Sequence, residues 1–440
     1  MGYNMHNLPT EFIENMKKQL PAIEWEAFFA VYEQKPYKGV RLNPLKGGVY
    51  ALKPILPFLG EPIPWEKNGF YTDEEKLGGS VFHSAGLFYS QEPSAMSAAP
   101  LLQVQPGEKV LDLCSAPGGK GTQMACEMDG KGLIVLNEPI LARAKIFSGN
   151  IERMGIRNAV VLNEDPETLA TRFPAYFDKI LVDAPCSGEG MFRKNADEAL
   201  GEWSEENIQL CARRQKRILD EATKMLKGGG RLVYSTCTFS EAEDEGQVRD
   251  YLESHPQMRL VKQEKLYPHK IRGEGHFVAL FERVDDIAIP QSAPKGNLSR
   301  EGERAYRAFE KEFLHTAFAS RLYEADGILY ELPDTPFPFK GLRVLRAGVR
   351  LGEVVHGRFE PSHSFALCLP RDSFRRVIDL AETDERLSKY FRGETIDCTE
   401  LSPENGWCVV CVCGYPIGLG KAVGGIIKNH LPKPLRKTNG

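Results

Sequence analysis

The sequence predicts an α/β protein built around a mostly parallel sheet, with an α+β module on either side. Two observations predict it. Between about residues 96 and 285, short apolar runs alternate with amphipathic helical stretches, the pattern of βαβ units. On both flanks that alternation gives way to mixed helical and extended signals separated by Pro- and Gly-rich turns.

Residues 1–95 form the first module. Phe12, Ile13, Met16, Leu20, Ile23, Phe28 and Phe29 recur near helical spacing, with a break at Pro21. Pro, Gly and aromatics then crowd Tyr37 to Tyr89. Residues 96–285 follow as the sheet domain. Its strands are Lys109–Cys114 after the Pro106-Gly107 turn, Gly132–Asn137, Ala159–Asn163, Lys179–Asp183 and Arg231–Ser235. The clearest helix starts at the N-cap Ser204 and stops at Gly228-Gly229-Gly230, with Ile218, Ala222, Met225 and Leu226 on one face. Residues 286–299, with Pro290, Pro294 and Gly296, read as a linker. Residues 300–372 open on a helix, Glu301 to His315, and continue in short strands. Residues 373–440 hold a helical stretch over Ser373–Tyr390 and a strand-like end, Trp407–Ile427.

Composition excludes several classes of protein. Lys plus Arg number 56 against 60 Asp plus Glu, a formal net charge of −4, so bulk charge does not bind nucleic acid and any polyanion needs local basic patches. No apolar run approaches the ~18 residues of a membrane span. The start carries Glu11 and lacks an apolar signal core, and His6 spoils the myristoylation pattern that Gly2 begins. A cytoplasmic monomer is expected. Ten scattered Cys do not make a disulfide scaffold, so each thiol is free for chemistry.

In a parallel α/β sheet, ligands bind beyond the carboxyl ends of the strands, and four polar groups fall there. The first is Asp112-Leu-Cys114-Ser115-Ala116-Pro117-Gly118-Gly119-Lys120-Gly121, a sharp strand-to-helix turn with glycines where a ligand approaches closely. It is neither the dinucleotide G-x-G-x-x-G nor a P-loop, which disfavours a diphosphate cofactor. The second is Glu138, 19 residues after Gly119, suited to accept both hydroxyls of a ribose. The third is Asp165, suited to accept from an adenine amino group. Turn, acid, acid at successive strand ends is a nucleoside-cofactor pattern. The fourth is Asp183-Ala-Pro185-Cys186-Ser-Gly-Glu-Gly190. The fifth strand ends in Ser235-Thr-Cys237, so two cysteines from neighbouring strand ends face one pocket. Spacing alone does not choose between them, and buried packing is the usual fate of a free Cys.

The runs LDLCSAPGGKG, DAPCSGEG and STCTFS resemble the NOL1/NOP2/Sun family of RNA 5-methylcytosine methyltransferases, in particular its bacterial branch acting on small-subunit ribosomal RNA. Tyr37–Asn43 and Tyr89–Pro93 extend the resemblance forward. Gly414–Lys421 with Lys428–Pro434 is similar to that branch's PUA-like RNA-binding tail. The resemblance implies a Rossmann-like class I methyltransferase domain with S-adenosyl-L-methionine held by Cys114–Lys120, Glu138, Asp165 and Asp183. It assigns the nucleophile to Cys237 and product release to Cys186. Small-subunit (16S) ribosomal RNA is the implied partner, with no DNA and no membrane.

That assignment makes chemical sense. A thiolate adding to cytosine C6 turns the unreactive C5 into an enamine-like nucleophile. Asp183 is suited to bond the base edge near N3 and N4 as charge shifts there. Lys120 is a candidate to activate Cys237. The target base must leave its stack to be reached. Rival readings are a tRNA methyltransferase, a nucleotide-dependent oxidoreductase and a non-catalytic RNA-binding assembly factor.

The remaining features have plainer readings. Cys408, Cys411 and Cys413 lack a second C-x-x-C pair and read as packing, so no metal is expected. Cys126 and Cys211 read as core. Arg213, Arg214, Lys216 and Arg217 form a basic helix face. Glu241, Glu243, Asp244 and Glu245 after Ser240 suit the positive start of a helix and need no functional role. Two basic stretches bear on RNA. Lys340–Arg358 holds five Lys and Arg against Glu353, and Tyr415–Gly440 holds Lys421, Lys428, Lys433, Arg436 and Lys437 with no acid. Phe337, Phe339, Tyr415 and His430 lie among them as candidates to stack on bases.

Overall fold

The computed structural model describes residues 8–287, 297–401 and 403–437. The leader and myristoylation readings on Met1–His6, and Pro290, Pro294 and Gly296 of the linker, lie outside them.

The chain opens with two helices, Thr10–Gln19 and Ala22–Ala30, broken where Pro21 supplies no N–H. Strands β1 (Lys38–Leu42), β2 (Gly69–Thr72) and β3 (Phe88–Gln91) then form an antiparallel sheet in the order β2-β1-β3.

The central sheet follows, built from β4 (Lys109–Asp112), β5 (Leu133–Asn137), β6 (Ala159–Leu162), β7 (Phe177–Asp183), β8 (Leu226–Thr236), β9 (Met258–Leu266) and β10 (His276–Arg283). β6-β5-β4-β7-β8 are parallel, and β10 runs antiparallel between β8 and β9. The inner residues of β4 to β8, such as Ile180–Val182 and Leu232–Tyr234, are apolar without alternation because helices cover both faces, burying one core on each. The strand order reverses between β4 and β7, and a crevice opens there at the strands' carboxyl ends.

The C-terminal half contributes β11 (Leu322–Ala325), β12 (Ile328–Glu331), β13 (Val344–Ala347), β14 (Val349–Val355) and β15 (Arg358–Pro361). β11, β12, β14 and β15 make a four-stranded sheet, whereas β13 leaves it and pairs antiparallel with β6 at the edge of the central sheet. The last sheet holds β16 (Val377–Leu380), β17 (Ile396–Asp397), β18 (Gly406–Val412), β19 (Tyr415–Val423) and β20 (Ile426–Asn429).

Three local expectations are corrected. Ser373–Tyr390 is not one helix. Val377-Ile-Asp-Leu380 pairs in parallel with β18, and a helix forms only over Glu385–Arg392 behind the N-cap Asp384. The long helix does start at Ser204, whose side chain accepts from Asn207 N, but it stops at Met225. The glycines beyond it enter β8, where the register against β7 shifts. The acids after Ser240 do not all crown a helix, because the helix begins only at Glu245 and Glu243 is fully buried.

Candidate active site

The cavity at the switch point measures about 740 Å³, within the range of small-ligand sites. It is lined by Cys114, Ser115, Ala116, Pro117, Gly119, Lys120, Glu138, Asp165, Asp183, Cys186 and Cys237, so the four strand ends singled out in the sequence meet in one place.

The turn after β4 passes through Gly118, whose φ of +103° suits glycine, and enters the helix Gly119–Glu127. Gly121 is required by packing. A Cβ there would lie 2.7 Å from Leu136 Cδ2 and 2.9 Å from Asp112 Oδ2. Arg41, buried on β1, donates from Nη2 to Gly119 O and Thr122 Oγ1, which ties the N-terminal module to this turn. Glu138 is buried, accepts from Ile140 N at 3.0 Å and lies 3.5 Å from Arg143. Asp165 precedes the helix Pro166–Arg172 with its side chain exposed at the mouth.

At the crevice floor, Lys120 Nζ meets Asp183 Oδ2 at 2.8 Å, and Ser235 Oγ donates to Oδ1 at 2.9 Å. Burial pushes the Asp183 carboxyl up, but the Lys120 charge and the hydrogen bonds from Lys120 and Ser235 outweigh it and hold the group below its ordinary range. The reverse holds at Asp112, which burial and then the Asp183 charge raise to about 8. Two adjacent carboxyls are thus driven apart in protonation.

The two cysteines follow Asp183 and its partner Ser235 on neighbouring strand ends. Cys186 Sγ lies 3.3 Å from Cys237 Sγ and accepts from Cys237 N at 3.4 Å. The thiol contact with Cys237, followed by burial, pushes the Cys186 thiol up. Glu243 locks the loop that carries Cys186. It accepts from Ser187 N at 3.0 Å, from Ser187 Oγ and from Gln215 Nε2 at 2.8 Å. Gln215 also donates to Pro185 O, and Ser187 Oγ meets Thr238 Oγ1 at 2.8 Å. Beside it, buried Asp244 accepts from Thr236 Oγ1 and pairs with Lys265 at 3.0 Å.

Sequence reasoning missed Glu243, Asp244 and His276. A run of acids gives no sign of which ones turn inward. His276 did leave a signal: it is a lone polar residue at the start of the apolar run Phe277–Phe281, directly after Gly275. Of the basic helix face, Arg214 and Arg217 reach the cavity mouth with Arg143 and Lys194. Cys408 and Cys411 are core residues and Cys413 is exposed at a turn.

A Rossmann-like sheet with an acid-lined crevice beside a thiol pair, together with the families it matches, defines the class: an RNA methyltransferase with an N-terminal domain and a C-terminal PUA domain. The chain belongs to the ribosomal RNA small subunit methyltransferase F family. The 16S rRNA methyltransferase RsmB/F family matches residues 99–282. The RsmF N-terminal, first C-terminal and PUA domains match residues 8–93, 308–369 and 377–437. The chain is 33% identical over 466 residues to ribosomal RNA small subunit methyltransferase F of Vibrio cholerae serotype O1 (strain M66-2), covering 98% of each chain. It is 34% identical over 469 residues to the protein of that name from Vibrio vulnificus (strain YJ016), covering 97% of each. The solved structure of a methyltransferase homolog protein from Pyrococcus horikoshii is 26% identical with a TM-score of 0.57, covering 64% of this chain and 97% of that one.

Proposed function

We propose that the protein methylates cytosine C5 in small-subunit (16S) ribosomal RNA through a covalent Cys237–C6 adduct, using S-adenosyl-L-methionine. The observation that carries this reading is the 3.3 Å approach of Cys186 and Cys237 on the cavity that Asp183 lines. The donor set suits the cofactor. Asp183 is already paired with Lys120, while Glu138 and Asp165 offer the cavity carboxylate acceptors for the hydroxyl and amino donors a nucleoside presents. Glu138 would take the ribose, Asp165 the adenine amino group, and the Cys114–Lys120 turn the remainder. S-adenosylmethionine bound there supplies the methyl group.

The chain's own residues do the rest. The Cys237 thiolate bonds to C6 and makes C5 electron-rich. Asp183, held ionised by Lys120 and Ser235, is suited to accept from the N4 amino group and so fix the base edge, with the Lys120 ammonium beside it. After transfer, water acting as base takes the C5 proton, the C–H electron pair re-forms the C5–C6 double bond and expels Cys237 from C6 as thiolate, with Cys186 at 3.3 Å assisting. A cytosine must be extruded to enter, and Arg143, Lys194, Arg214 and Arg217 at the mouth suit the flanking phosphates. Among the described residues no helix is long and apolar enough to cross a membrane. The cytoplasm, where ribosomal subunits assemble, is the compartment that fits this substrate.

With labelled cofactor, purified protein should place methyl groups at C5 of 16S rRNA or of small subunits. Label on tRNA alone would overturn the substrate. Cys186→Ala should accumulate a covalent protein–RNA adduct on a denaturing gel, and Cys237→Ala should be inactive without one. The opposite pattern would reverse the two thiols' roles.

A further inference from the structure

Among the polar side chains of the cavity, His276 is used by neither the cofactor reading nor the thiol chemistry. His276 is only 2% exposed, and neither ring nitrogen has a hydrogen-bond partner among the described residues. A buried polar group of this kind is uncommon and costly unless something bonds to it. His276 lines the cavity, so its partner comes from there.

Strand pairing says which end of the cavity it serves. Phe277 pairs with Thr236 and Val278 with Ser235. Continuing that register one step sets His276 beside Cys237. The two-residue side-chain period turns His276, Cys237, Ser235 and Val278 to one face. β10 lies three strands from β4, roughly 14 Å at ordinary strand spacing, and farther still from Glu138 and Asp165 on the β5 and β6 ends. His276 is therefore at the thiol end, where the pyrimidine must lie for Cys237 to reach C6. Burial, and then the neighbouring Lys120 charge, lower its pKa to about 3, so the ring is neutral and offers one donor and one acceptor nitrogen.

We infer that His276 is a substrate-contacting residue whose ring nitrogen hydrogen-bonds the polar edge of the extruded target base. This rests on the reading of Cys237 as the thiol that meets the base. Asp183 at the end of β7 and His276 at the start of β10 then hold the base from the two strands that flank β8, while Cys237 beyond β8 attacks the ring between them.

His276→Leu and His276→Asn should be compared with the parent in the full-length protein. Three readouts are needed: S-adenosylmethionine affinity by calorimetry without RNA, kcat/KM for labelled methyl transfer to 16S rRNA, and the thermal midpoint. His276→Leu should lower kcat/KM on the order of 10- to 100-fold, the worth of one buried hydrogen bond. Cofactor affinity should stay within about twofold, and the midpoint should stay level or rise. His276→Asn, which keeps a donor and an acceptor, should recover part of the loss. A tenfold loss of cofactor affinity with unchanged RNA kinetics would overturn the inference in favour of a cofactor contact. Unchanged kinetics in both variants would overturn it outright. The adduct assay in the Cys186→Ala background separates the two levels. No adduct with His276 intact refutes the Cys237 reading, whereas an adduct lost only with His276→Leu supports the base contact.

Discussion

Glu243 shows how much a single buried carboxyl decides here. It has no exposed surface, and its three hydrogen bonds run to the loop that presents Cys186 and to the long helix behind that loop. Burial raises its pKa from the ordinary 4.5 to about 7 against the pull of those donors. The unfolded chain releases this proton near pH 4.5 and the folded chain near pH 7. Stability from this group therefore falls as pH rises through that window, by at most about 3 kcal/mol. Glu243→Gln should flatten that part of a denaturation-versus-pH curve while keeping the fold, because its amide nitrogen can donate to Ser187 Oγ. Glu243→Ala should cost about 2–3 kcal/mol, since Ser187 N and Gln215 lose their acceptor, and should slow turnover more than it weakens RNA binding. In the sequence this acid was indistinguishable from its exposed neighbour Glu241. Sequence reveals a residue's type, and only the surrounding backbone decides whether its side chain meets water. Phe337 makes the same point in reverse. It was a candidate for stacking on RNA, but it is buried against Phe173 at 5.0 Å and unavailable to a base.

At the level of elements, the readable parts were those whose burial is complete. β4 to β8 showed as continuous apolar runs because helices cover both faces. β9, with mostly exposed or half-exposed side chains, left no such trace. Val377–Leu380 was misread because its local sequence suits either state, and pairing with β18 chose the strand. The helix Gly119–Glu127 carries the turn proposed to hold the cofactor, and it fits because residue 121 lacks a side chain. Gly121→Ala should push it off Leu136 and Asp112, cost about 1–3 kcal/mol by overpacking and weaken S-adenosylmethionine binding. A lowered thermal midpoint together with a raised calorimetric Kd would show both effects.

Across the whole molecule, the terminal modules are part of one packed body. The first sheet and the PUA domain share an apolar core that joins Val40, Phe70 and Phe88 to Ile378, Val410 and Ile427. Lys46 donates to Leu367 O, and Lys437 donates to Gly79 O at 2.7 Å. A truncation at residue 415 would remove β19 and β20 and open that core, so it cannot test RNA affinity cleanly. Substitution of surface charge can. Lys428 and Lys433 are exposed, and Lys421 sits over the Trp407 ring beside His430. Replacing all three with Ala should lower the slope of log affinity against log salt for single-stranded RNA by up to about 2. An unchanged slope would move the RNA contact elsewhere. The other basic stretch is partly spent on structure. Arg346 is buried against Glu152, and Arg343 is held by Glu164.

The sequence by itself determined the sheet domain, the crevice at its strand ends and the residues that converge there. Continuous apolar runs, glycine turns and strand-end acids are local features, and the parallel-sheet rule turns them into one place. Only the tertiary structure decided that β13 completes the central sheet, that the two ends of the chain share a core, and that Glu243 and His276 point inward. Those outcomes depend on contacts between residues far apart in the chain, where the energy of burial is set by partners that no local pattern contains.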